Sequence, residues 1–135
     1  MSITDRQPAG TAMIDLPPEE LASVAADAMD GKQGRDIVIL DMGDLLGIVD
    51  TFVIASGASK RQVRTLAEEV DGELERYGRT PLRLEGMDTA EWVLLDYGDL
   101  TVHIFQPAAR DLYSLERLWG DAPRVSWAPP RGADG

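Results

Sequence analysis

The stretch Glu91–Phe105, EWVLLDYGDLTVHIF, contains two short apolar runs separated by a polar turn. Glycine tolerates the positive φ that tight hairpin turns require, so Tyr97 and Gly98 are predicted to form a two-residue turn. The stretch is therefore predicted to be a β-hairpin, and its two strands are the starting point for the rest of the fold.

The predicted register gives the hairpin two unlike faces. It pairs these residues across the strands: Asp96 with Asp99, Leu95 with Leu100, Leu94 with Thr101, Val93 with Val102 and Trp92 with His103. One face is wholly apolar and is predicted to pack in the core, with Val93, Leu95, Leu100, Val102 and Ile104. The other is amphipathic, with Trp92, Leu94, Asp96, Asp99, Thr101 and His103. The two aspartates would repel each other, and a cation from a partner would relieve that repulsion.

The amphipathic face is the candidate functional surface. Residues 85–99 contain five carboxylates and no Lys or Arg, and Trp and Tyr are common interface anchors. A docking surface for a basic partner is therefore predicted, with Trp92, Leu94, Asp96, Tyr97, Gly98, Asp99 and His103. The alternative is structural: the tryptophan packs beneath a helix, and the aspartates are ordinary turn formers.

Composition narrows the possible functions. At 135 residues and 44% hydrophobic content, the chain suffices for one domain with an ordinary core. It has no cysteine, which excludes disulfides and favours a reducing cytoplasm. The formal net charge of −11 opposes sequence-specific nucleic-acid binding and favours encounter with basic proteins. No apolar stretch approaches the roughly 20 residues of a membrane span, and no signal peptide is evident, so no membrane partner is expected.

Apolar periodicity outside the hairpin predicts an α/β fold, a single mixed β-sheet flanked by helices in the order α-β-β-α-β-β-β-α. Ser59 and Gln62 are spaced as a capping box at the start of the long second helix. The polar residues 1–16 and the Pro- and Gly-rich residues 121–135 are expected to be disordered tails, which leaves one domain over residues 17–120.

The chain lacks the residue patterns of common catalytic sites. His103 is the single histidine and there is no cysteine, so neither a nucleophilic triad nor a zinc site is expected, and no catalytic residue, metal or cofactor is assigned. The enzymatic alternative is a nucleotide-binding site at the turn Ser56–Ser59, where small residues open a helix beside basic ones. It lacks the paired carboxylates that would hold magnesium.

The motifs DIVILD, DTFVIASGASKRQV, PLRLEG, EWVLLDYGDLTVHIF and YSLERLWGDA occur in this order. Together they resemble the ribosomal silencing factor family, also called Iojap-related, from about Leu21 to Ala122. The resemblance implies a fold similar to that of nucleotidyltransferases without their catalytic carboxylates, and no enzymatic activity.

The resemblance also implies a partner and a mode of action. The expected activity is repression of translation when nutrients are scarce. The expected partner is the large ribosomal subunit, bound through a basic ribosomal protein, its protein fourteen, so that the small subunit cannot join. Carried over to this chain, the binding surface includes Trp92 and the turn from Asp96 to Asp99. A homodimer through the same amphipathic face is a further possibility.

Overall fold

The computed structural model describes residues 16–42, 51–118 and 122–128. In these ranges the elements run α1 (Pro18–Gly31), β1 (Arg35–Asp41), β2 (Thr51–Ser56), α2 (Lys60–Glu75), β3 (Arg83–Glu85), β4 (Trp92–Asp96), β5 (Leu100–Phe105), α3 (Pro107–Tyr113) and α4 (Leu115–Leu118). This order confirms the predicted succession of helices and strands, with the last helical segment divided in two. The division falls at Ser114, whose φ of 47° ends α3.

The strands form a single mixed five-stranded sheet in the order β1-β2-β5-β4-β3. Strands β2 and β5 are parallel neighbours, and the other adjacent pairs are antiparallel. The predicted α/β class with one mixed sheet is thereby confirmed. The short strand β3 lies at an edge, as the proline before it predicts.

Helices α1 and α2 cover the first face of the sheet. The apolar stripe of α2 is buried as its spacing predicts, at Val63, Leu66, Ala67, Val70 and Leu74. These residues pack with buried residues of α1 and with inward-facing residues of the sheet in one core cluster. Each large aliphatic side chain buried in this way contributes about 1.5–3 kcal/mol relative to exposure. This layer therefore supplies most of the apolar burial in the described residues.

The second face of the sheet, opposite α1 and α2, is only partly covered. A smaller cluster there contains Leu40, Met42, Phe52, Ile54, Phe105 and Ala122. Ala109 of α3 and Leu115 of α4 pack against it from one end. The second face is where the hairpin presents its amphipathic residues.

The C-terminal segment differs from its prediction as a disordered tail. Residues 122–128 run along the free edge of β1, where Val125 N–H donates to Ile39 O and Asp41 N–H donates to Pro123 O, both at 2.8 Å. Val125 and Trp127 pack against the core, and the unpaired edge of β1 supplies partners for the backbone hydrogen bonds of the segment. The other predicted tail residues, 1–15, 121 and 129–135, lie outside the described residues.

Candidate functional site

The turn of the β4–β5 hairpin lies one residue later than predicted. Tyr97 N–H donates to Leu100 O at 2.8 Å, so the turn residues are Gly98 and Asp99. Gly98 has a φ of 91°, and glycine at the first of two turn positions is the preference of a type II′ turn. The predicted turn of Tyr97 and Gly98 was wrong because it placed the glycine second.

The shifted turn moves every cross-strand pair by two residues and leaves the two faces unchanged. The observed pairs are Trp92 with Phe105, Val93 with Ile104, Leu94 with His103, Leu95 with Val102 and Asp96 with Thr101. The predicted apolar face is buried against α1 and α2, with each of its five residues at 0% exposure. The predicted pairing of Asp96 with Asp99 is wrong.

Each of the two aspartates has an arginine partner within the chain. Asp99 Oδ1 accepts from Arg79 Nη2 at 2.6 Å, and Asp96 Oδ2 lies 3.4 Å from Arg83 Nε. Asp96 Oδ1 also accepts from Gly98 N–H at 2.8 Å, which fixes the turn. The expected unrelieved repulsion between two carboxylates is therefore absent, since internal cations already neutralise them in part.

Five aromatic rings cover one end of the second face, and we call them the ring cluster: Phe52, Trp92, His103, Phe105 and Tyr113. Half-buried Trp92 has three ring neighbours, with centroid distances of 5.0 Å to Phe105, 5.9 Å to His103 and 4.6 Å to Tyr113. Phe52 extends the cluster beyond His103 at 4.9 Å. These contacts hold the indole in one orientation, which lowers the entropy cost of using it as an anchor.

His103 is buried, and both of its ring nitrogens are engaged. Nδ1 accepts from Trp92 Nε1–H at 3.1 Å, so the ring proton resides on Nε2, which lies 3.1 Å from Thr101 Oγ1. Burial lowers the pKa of His103 to about 4, although the nearby Asp96 carboxylate opposes that change. The imidazole is therefore neutral at pH 7, and it positions Trp92.

Tyr97 lies on the core face, and its side chain is 4% exposed. Burial, with Asp71 nearby, raises the pKa of its phenol, while Arg79 opposes the rise. Within the described part of the chain its hydroxyl has no hydrogen-bond partner. This ring supports the turn from beneath and offers no contact area on the second face.

The remaining predicted site residues stand on or beside the second face. Leu94, Gly98 and Asp99 are half-buried, and Leu94 is paired on its other side with Glu85 of β3. The structure thus brings Trp92, Leu94 and Asp96 together on one accessible face. It places Tyr97 and His103 beneath that surface.

Two residues of α3 that the sequence reasoning missed extend this surface. Leu112 is 77% exposed and Tyr113 is 49% exposed, and Tyr113 contacts the tryptophan ring. The signal in the sequence is a pair of adjacent large apolar residues in the short polar segment that follows Pro107.

Gly86 was also missed, although it fixes the backbone next to the anchor. Its φ is 91°, and an added Cβ would collide with the carbonyl oxygen of Trp92. Only glycine allows the chain to pass this close to the start of β4.

The alternative site at Ser56–Ser59 is a helix cap. Ser59 Oγ accepts from Gln62 N–H at 3.1 Å, and Gln62 Oε1 accepts from Ala58 N–H at 2.7 Å. Arg64 donates to the carbonyl oxygens of Met87 and Asp88. In the described ranges no three His, Asp or Glu side chains converge as metal ligands. The geometry therefore gives no support to a magnesium-dependent nucleotide site at the N-terminus of α2.

Comparison with known proteins identifies what the chain resembles. The family model described as "Ribosomal silencing factor during starvation" matches residues 15–134. The ribosomal silencing factor RsfS of Bacillus subtilis is 41% identical over 105 residues, which is 78% of this chain and 89% of that protein. A solved structure of a protein from Chromobacterium violaceum superposes with a TM-score of 0.76 at 36% identity, covering 87% of this chain and 97% of that one.

A more distant relative carries a more specific name. The mouse "Mitochondrial assembly of ribosomal large subunit protein 1" is 29% identical over 91 residues, which is 65% of this chain and 40% of that protein.

The family match includes residues 122–128, in keeping with their packing against β1. None of the helices in the described ranges has the length and apolarity needed to cross a membrane.

Proposed function

This chain belongs to the ribosomal silencing factor family, a regulatory family without enzymatic activity, and from that membership we propose that it represses translation by binding the large ribosomal subunit. The bound protein occupies the face of the large subunit that meets the small one. Repression then needs no chemistry, because two bodies cannot occupy the same surface.

The proposed docking surface is the second face around Trp92. The observation that carries this assignment is a half-buried indole held by contacts with three other rings, one of which belongs to the exposed Tyr113. Rigid aromatic side chains at the centre of an interface are the usual source of its affinity. Leu94 and the carboxylates of the hairpin surround the indole.

The proposed contact is a basic ribosomal protein, specifically the large subunit's protein fourteen. Five carboxylates lie on or beside the hairpin: Glu85, Asp88, Glu91, Asp96 and Asp99. Among the described residues, Arg79 and Arg83 alone form ion pairs with this group. The remaining carboxylate excess favours a cationic neighbour over RNA phosphate. An incoming Lys or Arg can share Asp96 or Asp99 with its internal arginine, which speeds association and sets the register of binding.

The alternative occupant of this surface is a second copy of the chain. Exposed Leu112 and Tyr113 beside the tryptophan would suit an apolar contact between identical surfaces. Sedimentation velocity at several concentrations separates the two cases, because a homodimer dissociates on dilution and a monomer sediments unchanged. If the same face serves both partners, large subunits will compete with dimerisation.

Subunit joining tests the proposal directly. Purified large subunits are incubated with the protein before small subunits are added. The buffer is one in which the two subunits join when the protein is absent. Joined ribosomes are measured by light scattering and by sucrose-gradient sedimentation. We expect joining to fall in proportion to the large subunits occupied. Incubating the small subunit with the protein and removing the excess first should have no effect. Undiminished joining at saturating occupancy would refute steric repression.

A further inference from the structure

A cleft separate from the docking surface lies at the carboxyl end of β2. Its volume is about 550 Å³. Residues from β1, β2, α3, α4 and the C-terminal segment line it, among them Ser56, Arg110, Asp111, Ser114, Arg117 and Arg124. The α3 residues that line it are on a different side of that helix from Ala109 and Tyr113, which contact the second-face cluster and the rings.

The charge of this cleft differs from that of the whole protein. Three arginines line it together with two carboxylates, Asp36 and Asp111, whereas the chain as a whole has 24 acidic and 13 basic residues. Half-buried Arg110 is held in place because its Nη1 donates to Ser56 Oγ at 2.8 Å. Arg117 and Arg124 are exposed and form no ion pair with any residue in the described ranges. The cleft thus contains one guanidinium held in place, that of Arg110, and two exposed ones, those of Arg117 and Arg124.

The fold itself favours a binding site at this position. The parallel neighbours β2 and β5 send their following helices to opposite sides of the sheet, α2 to the first face and α3 to the second. Where the connections of adjacent parallel strands diverge in this way, a crevice opens outside their carboxyl ends, and ligands of α/β proteins commonly bind there. Ser56, the last residue of β2, and Pro107, the first of α3, both line the cleft.

We propose that this cleft binds a single phosphate ester group. The arginines would provide charge-assisted hydrogen bonds, and guanidinium matches phosphate geometry. The Ser56 hydroxyl, whose oxygen accepts from Arg110, keeps its own hydrogen to donate to a phosphate oxygen. The carboxylates of Asp36 and Asp111 limit the site to one phosphate, because a second negative group would face them. The ligand is a phosphomonoester on a free nucleotide or a phosphodiester of an RNA backbone.

Nuclear magnetic resonance titration of the full chain tests the proposal. ¹⁵N-labelled protein is titrated at low ionic strength, where screening is weak, with adenosine 5′-monophosphate, with the dinucleotide ApA and with adenosine. We expect amide shifts at Ser56, Ser114 and Arg124 with a dissociation constant of about 1 mM or tighter for at least one phosphate probe, and none for adenosine. Tighter binding of the monophosphate identifies a free nucleotide as the source, and tighter binding of ApA identifies RNA.

A charge-matched pair of variants separates the cleft from general electrostatics. Arg117→Gln with Arg124→Gln removes two cleft cations, and Arg61→Gln with Arg76→Gln removes two exposed cations of the long-helix region outside the cleft. We expect the first pair to weaken binding at least fivefold and the second to change it less than twofold. Absence of shifts with both phosphate probes, equal weakening by both pairs, or shifts centred elsewhere would overturn the assignment. The ribosome-binding proposal does not depend on this result.

Discussion

His103 couples the ring cluster to pH because both of its ring nitrogens have partners. Protonated Nδ1 could no longer accept a hydrogen bond, so the bond from Trp92 Nε1–H would be lost. The pKa of about 4 in the folded chain lies below the value of 6.5 that an unperturbed histidine has. The anchor for the proposed partner is therefore held by a residue that must remain neutral.

The sign of the resulting pH effect follows from these two pKa values. The unfolded chain binds the proton first, so the contribution of neutral His103 to stability is complete above about pH 6.5 and is lost as the pH falls towards 4. The loss amounts to about 3 kcal/mol, since each pH unit between the two pKa values corresponds to about 1.4 kcal/mol. Below about pH 4 the histidine contributes no further change.

Urea denaturation at pH 7 and pH 5 measures this effect. His103→Gln is the matched control, because His103 is the single histidine of the chain and the variant keeps every carboxylate. We expect the wild type to lose more free energy of unfolding between the two pH values than the variant does. An identical loss in both proteins would show that the histidine is not neutral and buried as described.

At the residue scale, the sequence identified Trp92, Leu94 and Asp96 as members of one face, because alternation along a strand determines which side chains share a face. It did not predict that Tyr97 and His103 are buried. Burial depends on what covers a face, and the covering residues come from distant elements such as α1, α2 and β2.

Among the elements, the hairpin shows what local sequence patterns can predict and what they cannot. The strands and their faces were predicted correctly because a two-residue shift preserves alternation. The turn was not, because Gly98, between Tyr97 and Asp99, suits either position of a two-residue turn. The long helix was predicted closely, since its stripe and its cap are both local signals.

Substitution of Gly86 tests how closely the chain before β4 passes the backbone of Trp92. Gly86→Ala should lower the free energy of unfolding by about 3 kcal/mol or more, because the new Cβ would meet the backbone at Trp92 and φ would be unfavourable. Gly72→Ala, with open space around the added Cβ in the middle of α2, should raise it by about 1 kcal/mol. Thermal and urea denaturation of both variants measure the two changes.

The two glycine variants differ in sign, and this makes the comparison decisive. If Gly86→Ala unfolds with the same midpoint as the wild type, the chain does not pass as close to Trp92 as described. If Gly72→Ala is destabilised, its surroundings in α2 are not open.

For the whole molecule, the strand order and the course of the C-terminal segment could not be read from local patterns. The pairing of β2 with β5 joins residues about fifty positions apart, and the sequence of neither strand indicates which strand it pairs with. The segment 122–128 was predicted to be disordered because it lies in the Pro- and Gly-rich stretch 121–135. Its order comes from the edge of β1, which is a property of the assembled sheet.

The two faces of the assembled sheet have different roles. Helices α1 and α2 bury the first face and leave the second face to present the ring cluster and the carboxylates around it. A protein that acts by occupying a surface needs such a rigid, accessible face and little else. The central claim is therefore that Trp92 supplies the affinity for the large ribosomal subunit.

The most direct test is the equilibrium affinity of fluorescently labelled protein for purified large subunits. Trp92→Ala is compared with Trp127→Ala, which removes a half-buried indole beside β1, at the opposite edge of the sheet from β3, and circular dichroism confirms that both variants are folded. We expect Trp92→Ala to weaken binding by about 2 kcal/mol or more, about thirtyfold in dissociation constant, and Trp127→Ala to bind as the wild type does. Unchanged binding by folded Trp92→Ala, or equal weakening by both variants, would contradict the account.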